Sequence, residues 1–432
     1  MAKRLWVCGI IAAGCSNGAK MNPPDGDVVN PFPGGTIALG KCGYSVTTRE
    51  GAAVPVLGTP MLGSDPKPWG IHLGLAADPT QSMVVSWRTQ DDTTLATTVQ
   101  FGVGDKIDQT VDGLTFAYET QNRAPVQIHE THLCNLLPNT TYSYRVGGKD
   151  GQGQEAWSAM SQFHTAPSKA QGDPQVVIAL IGDTRGNYPL WGQMLQKAWM
   201  LAAPDLILFS GDAVTFGTFQ SEWDDYFTQA EPVLRRVPML IAHGNHDLNA
   251  VNFFSQFAMP GDEAYYGIDY GPMHLTVAND TPSPVSDLQT IGAAFLEKDF
   301  TVSESATWKF LLHHRPMYSA AVAHGGDMTI LKSWGPIVDQ HKIDMVFNGH
   351  DHNYERTKPM RAELVKSTPA EGTTYVVAGS AGAPLYTNGN GAWTAVSKKN
   401  YNLVILRVKV ASLEMTAYDD QGNTLDTFTI NK

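Results

Sequence analysis

The chain has 432 residues, of which 42% are hydrophobic and 17% charged. This composition is typical of a globular protein with a sizeable core, and the length favours two folded units. The formal net charge of -12 at pH 7 argues against a nucleic-acid-binding surface, because such a surface carries a basic stripe.

The first 15 residues have the features of an export signal. A short basic region at Lys3 and Arg4 precedes residues 5–13, which are apolar but too few to span a bilayer. The Ala-Gly-Cys sequence that ends at Cys15 resembles the processing site of bacterial lipoproteins. We therefore predict a lipoprotein-type signal over 1–15, a lipid anchor at Cys15 and export to the cell envelope. An ordinary secretory signal is the alternative.

The cysteines are consistent with export. Of the four cysteines, Cys8 would leave with the signal and Cys15 would carry the lipid. Cys42 and Cys134 then remain as one even pair in an oxidising compartment. They are predicted either to form a disulfide or to be two buried free thiols.

Residues 16–66 are interpreted as a tether or extension, because their first half is rich in Gly, Pro, Asn and Ser. From 67 to 167, short apolar runs separated by turn signals predict an all-β domain. The predicted strands are 44–48 and 53–57 in the extension, and 83–87, 98–102, 124–133 and 142–146 in the domain. The segment from Leu136 to Tyr142 resembles the tyrosine corner of fibronectin-like β-sandwiches.

The spacing of apolar residues changes in residues 174–432. Continuous apolar runs of strand length alternate with helix-like stretches, which predicts an α/β layer fold with buried strands. The predicted buried strands are 176–181, 206–210, 239–242, 309–312 and 343–347. The predicted helices lie near 189–202, 221–235, 287–299 and 328–341. The last part returns to strands, predicted at 374–379, 401–410, 413–418 and 424–430.

Five short polar segments follow apolar runs in this second region. They are Gly182-Asp183, Gly211-Asp212, Gly244-Asn245-His246-Asp247, His313-His314-Arg315-Pro316 and Gly349-His350-Asp351-His352. Ligands of open α/β folds bind beyond the carboxyl ends of the strands, where these segments are expected to lie. The glycine before most of the polar residues is expected to let the backbone turn sharply.

The side chains in these segments are carboxylates, an amide and imidazoles, a set that suits Zn, Fe or Mn. Two metals about 4 Å apart can share a carboxylate and stabilise the attacking and leaving oxygens of a phosphate ester. Each segment alone has a simpler explanation, such as a helix cap or a turn. All five together predict a two-metal site that hydrolyses phosphate esters.

The order of these motifs resembles that of the calcineurin-like metallophosphoesterases, and in particular the purple acid phosphatases. The resemblance extends over 67–432, because the predicted β domain at 67–167 is similar to the fibronectin-like domain that precedes the catalytic domain of those enzymes. It implies a fibronectin III-like β-sandwich followed by a layered αββα metallophosphoesterase domain over 174–432. It also implies hydrolysis of phosphate monoesters by a metal-bridging hydroxide.

The resemblance assigns a role to each polar residue. The implied metal ligands are Asp183 and His352 on the first metal, Asp212 as the bridge, and Asn245, His314 and His350 on the second metal. His246 and Asn245 would contact the substrate phosphate, and His246 would also protonate the leaving group. Asp247 would orient His246 by a hydrogen bond. His324 would contact substrate, and His313 would be a strand neighbour.

Two positions depart from the purple acid phosphatase pattern. Thr215 stands where those enzymes have the tyrosine that binds ferric iron and gives the colour, so we expect no purple band. Arg185 stands where they have glycine. It is predicted either to contact the substrate phosphate, since a guanidinium suits bidentate oxygen contacts, or to form a salt bridge with a nearby carboxylate.

The predicted function is an exported phosphoesterase that uses two ions of Fe, Zn or Mn and acts on small phosphate monoesters. Phosphodiesterase or nucleotidase activity at the same site is the first alternative, because Thr215 and Arg185 alter its surroundings. A non-catalytic surface-binding lipoprotein is the second, although the intact ligand set argues against it. No pattern in the sequence indicates an oligomeric state.

Overall fold

The computed structural model describes residues 30–31, 35–48, 52–53, 63–91, 94, 96–118, 120, 126–150, 152–169, 171–282 and 284–432. The predicted signal, the lipid site at Cys15 and much of the predicted extension lie outside these residues. Of the predicted strand at 53–57, only its first residue is described.

The N-terminal part of the chain is built from β-strands. Its strands are β1 (Asn30–Pro31), β2 (Gly35–Leu39), β3 (Tyr44–Thr48), β4 (Ala52–Ala53), β5 (Trp69–Gly74), β6 (Ser82–Thr89), β7 (Thr98–Val103), β8 (Gln109–Asp112), β9 (Leu114–Tyr118), β10 (Val126–Cys134), β11 (Thr141–Lys149), β12 (Glu155–Trp157) and β13 (Ser161–His164). One sheet has the order β1-β9-β10-β6-β5, and the other has the order β12-β11-β7-β8, with β4 and β13 pairing to β9 and β11. Trp87 and Leu133 of the first sheet and Val99 and Tyr144 of the second share one buried cluster.

Two local contacts stabilise this β domain. The phenol oxygen of Tyr142 accepts a hydrogen bond from the backbone N–H of Leu137 at 2.8 Å, which is the contact of a tyrosine corner. Cys42 and Cys134 form a disulfide with their Cα atoms 5.2 Å apart, and it closes a sequence separation of 92 residues. Of the two predictions for this pair, the disulfide is therefore the one observed.

The second part of the chain has two larger sheets. Its strands are β14 (Val176–Ile181), β15 (Leu206–Phe209), β16 (Met239–Ile241), β17 (Tyr265–Tyr270), β18 (Met273–Ala278), β19 (Trp308–Leu312), β20 (Met345–Asn348), β21 (Tyr354–Thr357), β22 (Met360–Arg361), β23 (Leu364–Val365), β24 (Thr374–Ala378), β25 (Thr394–Lys398), β26 (Asn402–Val408), β27 (Ser412–Asp419) and β28 (Thr424–Asn431). The first sheet has the order β16-β15-β14-β26-β27-β28, and the second has the order β17-β18-β19-β20-β24-β21-β25. Strands β14 to β16 are parallel to one another, and so are β18, β19, β20 and β24.

Helices cover the outer faces of these sheets. They are α1 (Tyr188–Ala202), α2 (Gln220–Leu234), α3 (Val251–Gln256), α4 (Ile291–Val302) and α5 (Met328–Gln340), with 3₁₀ turns at Val285–Leu288 and Pro369–Glu371. Leu208 and Phe347 belong to the buried cluster between the sheets, whereas Leu311 and Val346 pack outward against residues of α4 and α5. The prediction of a mostly-β domain followed by an αββα layered domain is confirmed.

Capping side chains explain where two helices begin. The carboxylate of Asp327 accepts hydrogen bonds from the backbone N–H groups of Thr329 and Ile330 at the start of α5. The side chain of Asn187 accepts one from Leu190 N–H at the start of α1. Helix α3 was not predicted, because six residues are too few to show a helical period.

The β domain and the layered domain are joined through a buried polar contact. The guanidinium of Arg88, on β6, lies 2.8 Å from Asp224 and 2.9 Å from the amide oxygen of Gln256. The same guanidinium lies 4.1 Å from the ring of Trp69 and 5.0 Å from that of Phe227. Buried residues of both domains, such as Trp87 and Phe227, also belong to one hydrophobic cluster, so the two domains share one core.

Among the helices in the described part of the chain, none combines the length and the apolar character that a bilayer crossing requires.

Candidate metal centre

The six predicted metal ligands lie together at one edge of the two sheets. Each stands two to four residues beyond the carboxyl end of a parallel strand. They are Asp183 after β14, Asp212 after β15, Asn245 after β16, His314 after β19, and His350 and His352 after β20. Both sheets contribute, so the site lies where their carboxyl ends meet.

These side chains form two groups that share Asp212. The ligand atoms of Asp183, Asp212 and His352 lie within 4.8 Å of one another, and so do those of Asp212, His314 and His350. The side-chain oxygen of Asn245 lies 3.2 Å from Nε2 of His314, in the second group. One carboxylate therefore faces both groups, as a bridging ligand requires.

Backbone carbonyls set the tautomer of two histidines. Nδ1–H of His314 donates to the carbonyl of Ser210 at 2.8 Å, and Nδ1–H of His352 donates to that of Pro384 at 2.7 Å. In each ring this leaves Nε2 as the nitrogen that faces the site.

Three of the ligands have a left-handed backbone conformation. The φ angles are 53° at Asp183, 57° at Asp212 and 68° at His350. Such angles are uncommon outside glycine and persist where the surrounding structure enforces them. Here they turn each side chain toward the common centre directly after its strand.

The glycines that precede the ligands leave room for other atoms. A Cβ at Gly349 would lie 2.2 Å from the carboxylate of Asp183, and one at Gly182 would lie 2.0 Å from Oγ of Ser210. Neither of these two glycines has a positive φ, although Gly211 does, at 99°. The prediction that these glycines provide the sharp turn is wrong for Gly182 and Gly349, where close packing is the reason.

The predicted role of Asp247 is also wrong. Its carboxylate accepts hydrogen bonds from the backbone N–H groups of Asp212, Ala213 and Gly244 at 2.8 to 3.1 Å. The His246 ring instead donates from Nδ1 to the carbonyl of Thr215 at 2.8 Å. Asp247 therefore ties together two ligand loops and does not orient His246.

The carboxylates and histidines of the centre perturb one another strongly. Burial raises the pKa of the Asp183 carboxyl well above its usual range. Burial and the charge of His314 lower the pKa of His350 to about 2, and burial and the guanidinium of Arg185 lower that of His352 to about 3. These two imidazoles are therefore neutral at physiological pH and offer lone pairs to a metal.

His314 differs from the other two imidazoles. Burial lowers its pKa, but the Asp212 carboxylate outweighs this effect and raises the pKa to about 10. Its Nε2 lies 3.3 Å from both Asp212 Oδ1 and His350 Nδ1. Without a cation or a proton between them, the nitrogen atoms of the two rings and the carboxylate oxygen would repel one another at this distance.

The two predicted substrate-contacting histidines contact different ligand residues, Asp212 and His350. The backbone N–H of His246 donates to Asp212 at 2.9 Å, so its ring stands beside the bridging carboxylate. His324 donates to Asp351 at 3.2 Å and stacks on the ring of His350 with centroids 4.4 Å apart. The His324 side chain is 43% exposed, so it lies at the mouth of the site.

Arg185 also lies in the site. Its Nε stands 3.5 Å from the Asp212 carboxylate, so the predicted salt bridge is observed. Its Nη2 lies 3.3 Å from Nε2 of His352 and 3.3 Å from the phenol of Tyr386. The Tyr386 ring stacks on His352 with centroids 4.0 Å apart. Tyr386 was not predicted, because nothing in the sequence around it signals a site.

Thr215 and His313 lie around the centre. The backbone of Thr215 binds the carboxylate of Glu222 and the ring of His246, so its loop supports His246. Nδ1 of His313 lies 2.9 Å from the buried Asp280, pointing away from the ligand groups. Asp280 also accepts from the backbone N–H of Arg315, which holds the loop that carries His314.

The residues present fit a pair of metal ions. Two carboxylates, one amide oxygen and three imidazoles converge, and four of the six residues, Asp183, Asp212, His314 and His352, are at most 1% exposed. Mixed oxygen and nitrogen ligands of this kind suit Zn, Fe or Mn.

Family comparisons agree with this geometry. A model described as "Purple acid Phosphatase, N-terminal domain" matches residues 68–165, and one described as "Calcineurin-like phosphoesterase" matches residues 176–354. Together they cover more than half of the chain. The chain belongs to the calcineurin-like phosphoesterases. Within them it belongs to the purple acid phosphatase-like group, whose N-terminal domain it carries.

Some similar proteins are named as acid phosphatases, and others are named as probable inactive ones. "Probable inactive purple acid phosphatase 1" of Arabidopsis thaliana is 26% identical, and the match covers 81% of this chain and 67% of the relative. "Acid phosphatase type 7" of Homo sapiens is 25% identical, with 83% and 90% covered. For two further Arabidopsis relatives named probable inactive, the match spans only 58% of their length.

A solved purple acid phosphatase from yellow lupin seeds has the same fold. The TM-score is 0.71 at 22% sequence identity, and the match covers 85% of this chain and 74% of the lupin chain. At this identity the likeness establishes the fold alone.

Proposed function

We propose that the protein is a metal-dependent phosphoesterase that hydrolyses phosphate monoesters. The observation that carries this proposal is the sharing of Asp212 between two groups of metal-ligating side chains. Bound as a pair, the ions would supply Lewis acidity and a nucleophile generated from water at neutral pH. We propose Fe, Zn or Mn as the ions, from the mixed oxygen and nitrogen ligands.

The side chains around the ligands would position the substrate. The His246 ring is fixed through Nδ1 by the Thr215 carbonyl, so its Nε2 is the atom that can contact a phosphoryl oxygen or give a proton to the leaving group. His324, at the mouth and stacked on His350, would contact the ester from the other side. Asn245 and Arg185 would add contacts to the phosphate oxygens.

A catalytically silent binding protein is the second candidate. It is favoured by the names of three Arabidopsis relatives, which are each called probable inactive. The convergence of all six predicted ligand residues favours the enzyme.

A substrate panel separates these functions. The purified protein is loaded with Mn, Zn or Fe and given an aryl phosphate monoester, an aryl diester and a nucleotide. Turnover of the monoester above the other two supports the proposal, and faster diester or nucleotide hydrolysis supports the alternative activities. His246→Gln is expected to lower kcat by about 10²- to 10⁴-fold, whereas the matched control His164→Gln, in the β domain, is expected to have no effect.

We also propose that the protein is exported and lipid-anchored at Cys15. The disulfide between Cys42 and Cys134 supports an oxidising compartment. Cys15→Ser is expected to move the protein from the membrane fraction to the soluble fraction. A variant that stays with the membrane refutes the anchor.

A further inference from the structure

The guanidinium of Arg185 lies against Asp212, which both ligand groups share, and against His352, which belongs to only one of them. Its Nε is 3.5 Å from Oδ2 of Asp212, and its Nη2 is 3.3 Å from Nε2 of His352. Both contacted residues belong to the group completed by Asp183. The arginine side chain is only 17% exposed, so this contact is built into the site.

The contact with His352 uses an atom that a metal also needs. Nδ1–H of His352 donates to the Pro384 carbonyl, so the ring has a single lone pair left, on Nε2. Nη2–H of Arg185 donates to this lone pair. An imidazole lone pair cannot accept a hydrogen bond and ligate a metal at the same time. Ligation by His352 therefore requires the guanidinium to move.

The second group has no such competitor. Within the described residues, no arginine or lysine pairs with His314 or His350. The ring of His350 stacks on His324, and the Nε2 of His314 faces Asn245 and Asp212. A metal that binds this group takes the place of the proton shared by His314, Asp212 and His350, but it displaces no guanidinium.

Tyr386 gives Arg185 a second contact, which the guanidinium holds at the same time as its contact with His352. Its phenol lies 3.3 Å from Nη2, and its ring is partly exposed beside His352. A guanidinium that withdraws from His352 can keep its hydrogen bond to this phenol and remain near the mouth of the site.

We propose that Arg185 competes with metal at the Asp183–Asp212–His352 group, so that the two ions bind in sequence and with unequal affinity. The group of Asn245, His314 and His350 fills first. The group of Asp183 and His352 fills only when Arg185 withdraws toward Tyr386. This proposal rests on the metal pair of the proposed function but not on its catalysis.

Metal titration tests the proposal without using activity. Zn²⁺ is titrated into metal-free wild-type protein, Arg185→Gln and the control Arg236→Gln, and binding is followed by calorimetry. Wild type is expected to show a tight step and a weaker step. Arg185→Gln, which removes the charge, is expected to tighten the weaker step at least about tenfold and to change the tight step less. The control is expected to behave as wild type.

Two equal steps in the wild type, or a weaker step that Arg185→Gln does not change, overturn the proposal. Crystals of wild type grown with one equivalent of Zn²⁺ give a test that does not depend on a variant. The anomalous signal is expected at the His314–His350 group, with Arg185 still against His352. A first signal beside Asp183 overturns the proposal. Sequential binding without turnover would uphold this inference and refute the proposed activity.

Discussion

Close packing of loop backbones holds the ligands of the centre in place. Asp183, Asp212 and His350 have positive φ angles, and the residues before them leave less space than one methyl group needs. The strain of three such conformations has to be balanced by their surroundings. The three amide hydrogen bonds to Asp247 provide part of that balance.

Gly349→Ala tests this packing. Because its Cβ would lie 2.2 Å from the Asp183 carboxylate, the variant is expected to displace a ligand and weaken metal binding about 10- to 100-fold. Metal content after dialysis measures the effect. Gly40→Ala is the control, since a Cβ there meets nothing within 4 Å. Equal metal retention in both variants would contradict the packing argument.

The colour of the iron-loaded protein tests the substitution at Thr215. Thr215 has no phenol, and burial raises the pKa of the Tyr386 phenol, which disfavours a phenolate ligand from that side. We expect no visible tyrosinate absorption from wild type loaded with ferric iron, and a new band from Thr215→Tyr. A purple wild type would show that another tyrosine binds the metal.

Sequence patterns placed the six predicted ligand residues at one site but misjudged the residues that support them. Asp183, Asp212 and the others stand directly after apolar strands, so strand prediction alone brings them together. Tyr386 stands eight residues after its strand, where no local pattern fixes its direction. Two of the three partners of Asp247 are backbone groups on another loop, and backbone groups leave no mark on a sequence.

Buried strands were the elements that the sequence predicted most accurately. The predicted run at 176–181 is the observed strand β14, because a strand covered on both faces has to be apolar throughout. The short helix α3 and the hairpin from Met360 to Val365 were not predicted. Their few residues lack a period, and tertiary contacts determine their conformation.

His274 links strands β17 and β18 to helix α4 through two carboxylates. Its Nδ1 lies 2.8 Å from Asp269 and its Nε2 lies 3.0 Å from Asp299. Burial lowers the pKa of His274, but these hydrogen bonds outweigh burial and raise the pKa to about 9. The charged ring is therefore stabilised in the folded state.

The pH dependence of stability tests this link. A raised folded-state pKa gives stability that is complete below the unfolded value near 6.5 and is lost as pH rises through about 9. We expect wild type to exceed His274→Gln in unfolding free energy by up to about 3 kcal/mol at pH 6, with the difference shrinking by pH 10. Denaturant unfolding across this range measures it, and a difference independent of pH would contradict the assignment.

At the scale of the whole molecule, the β domain is a structural partner of the layered domain. Arg88 reaches from β6 to Asp224 and Gln256 of the layered domain and is 1% exposed. A buried charge of this kind is costly once its partner is removed.

Arg88→Ala measures how far the two domains depend on each other. We expect the free energy of unfolding to fall by about 3 to 5 kcal/mol, because Asp224 loses a buried ion pair. The control Arg145→Ala, whose guanidinium lies over the ring of Trp157 within the β domain, is expected to cost about 1 kcal/mol or less. Equal losses of unfolding free energy in the two variants would mean that the domain interface adds little to stability.

The sharing of Asp212 by both ligand groups is the central claim, and hydrolysis of an aryl phosphate monoester tests it most directly. Wild type and Asp212→Asn are loaded with Mn, Zn or Fe, with the surface variant Asp225→Asn as control. We predict turnover by wild type and by the control, and a fall of more than about 100-fold in the turnover rate of Asp212→Asn. Loss of a side chain that only supports a metal ligand usually has a smaller effect. No turnover by wild type with any metal, or equal rates in wild type and Asp212→Asn, would contradict the account.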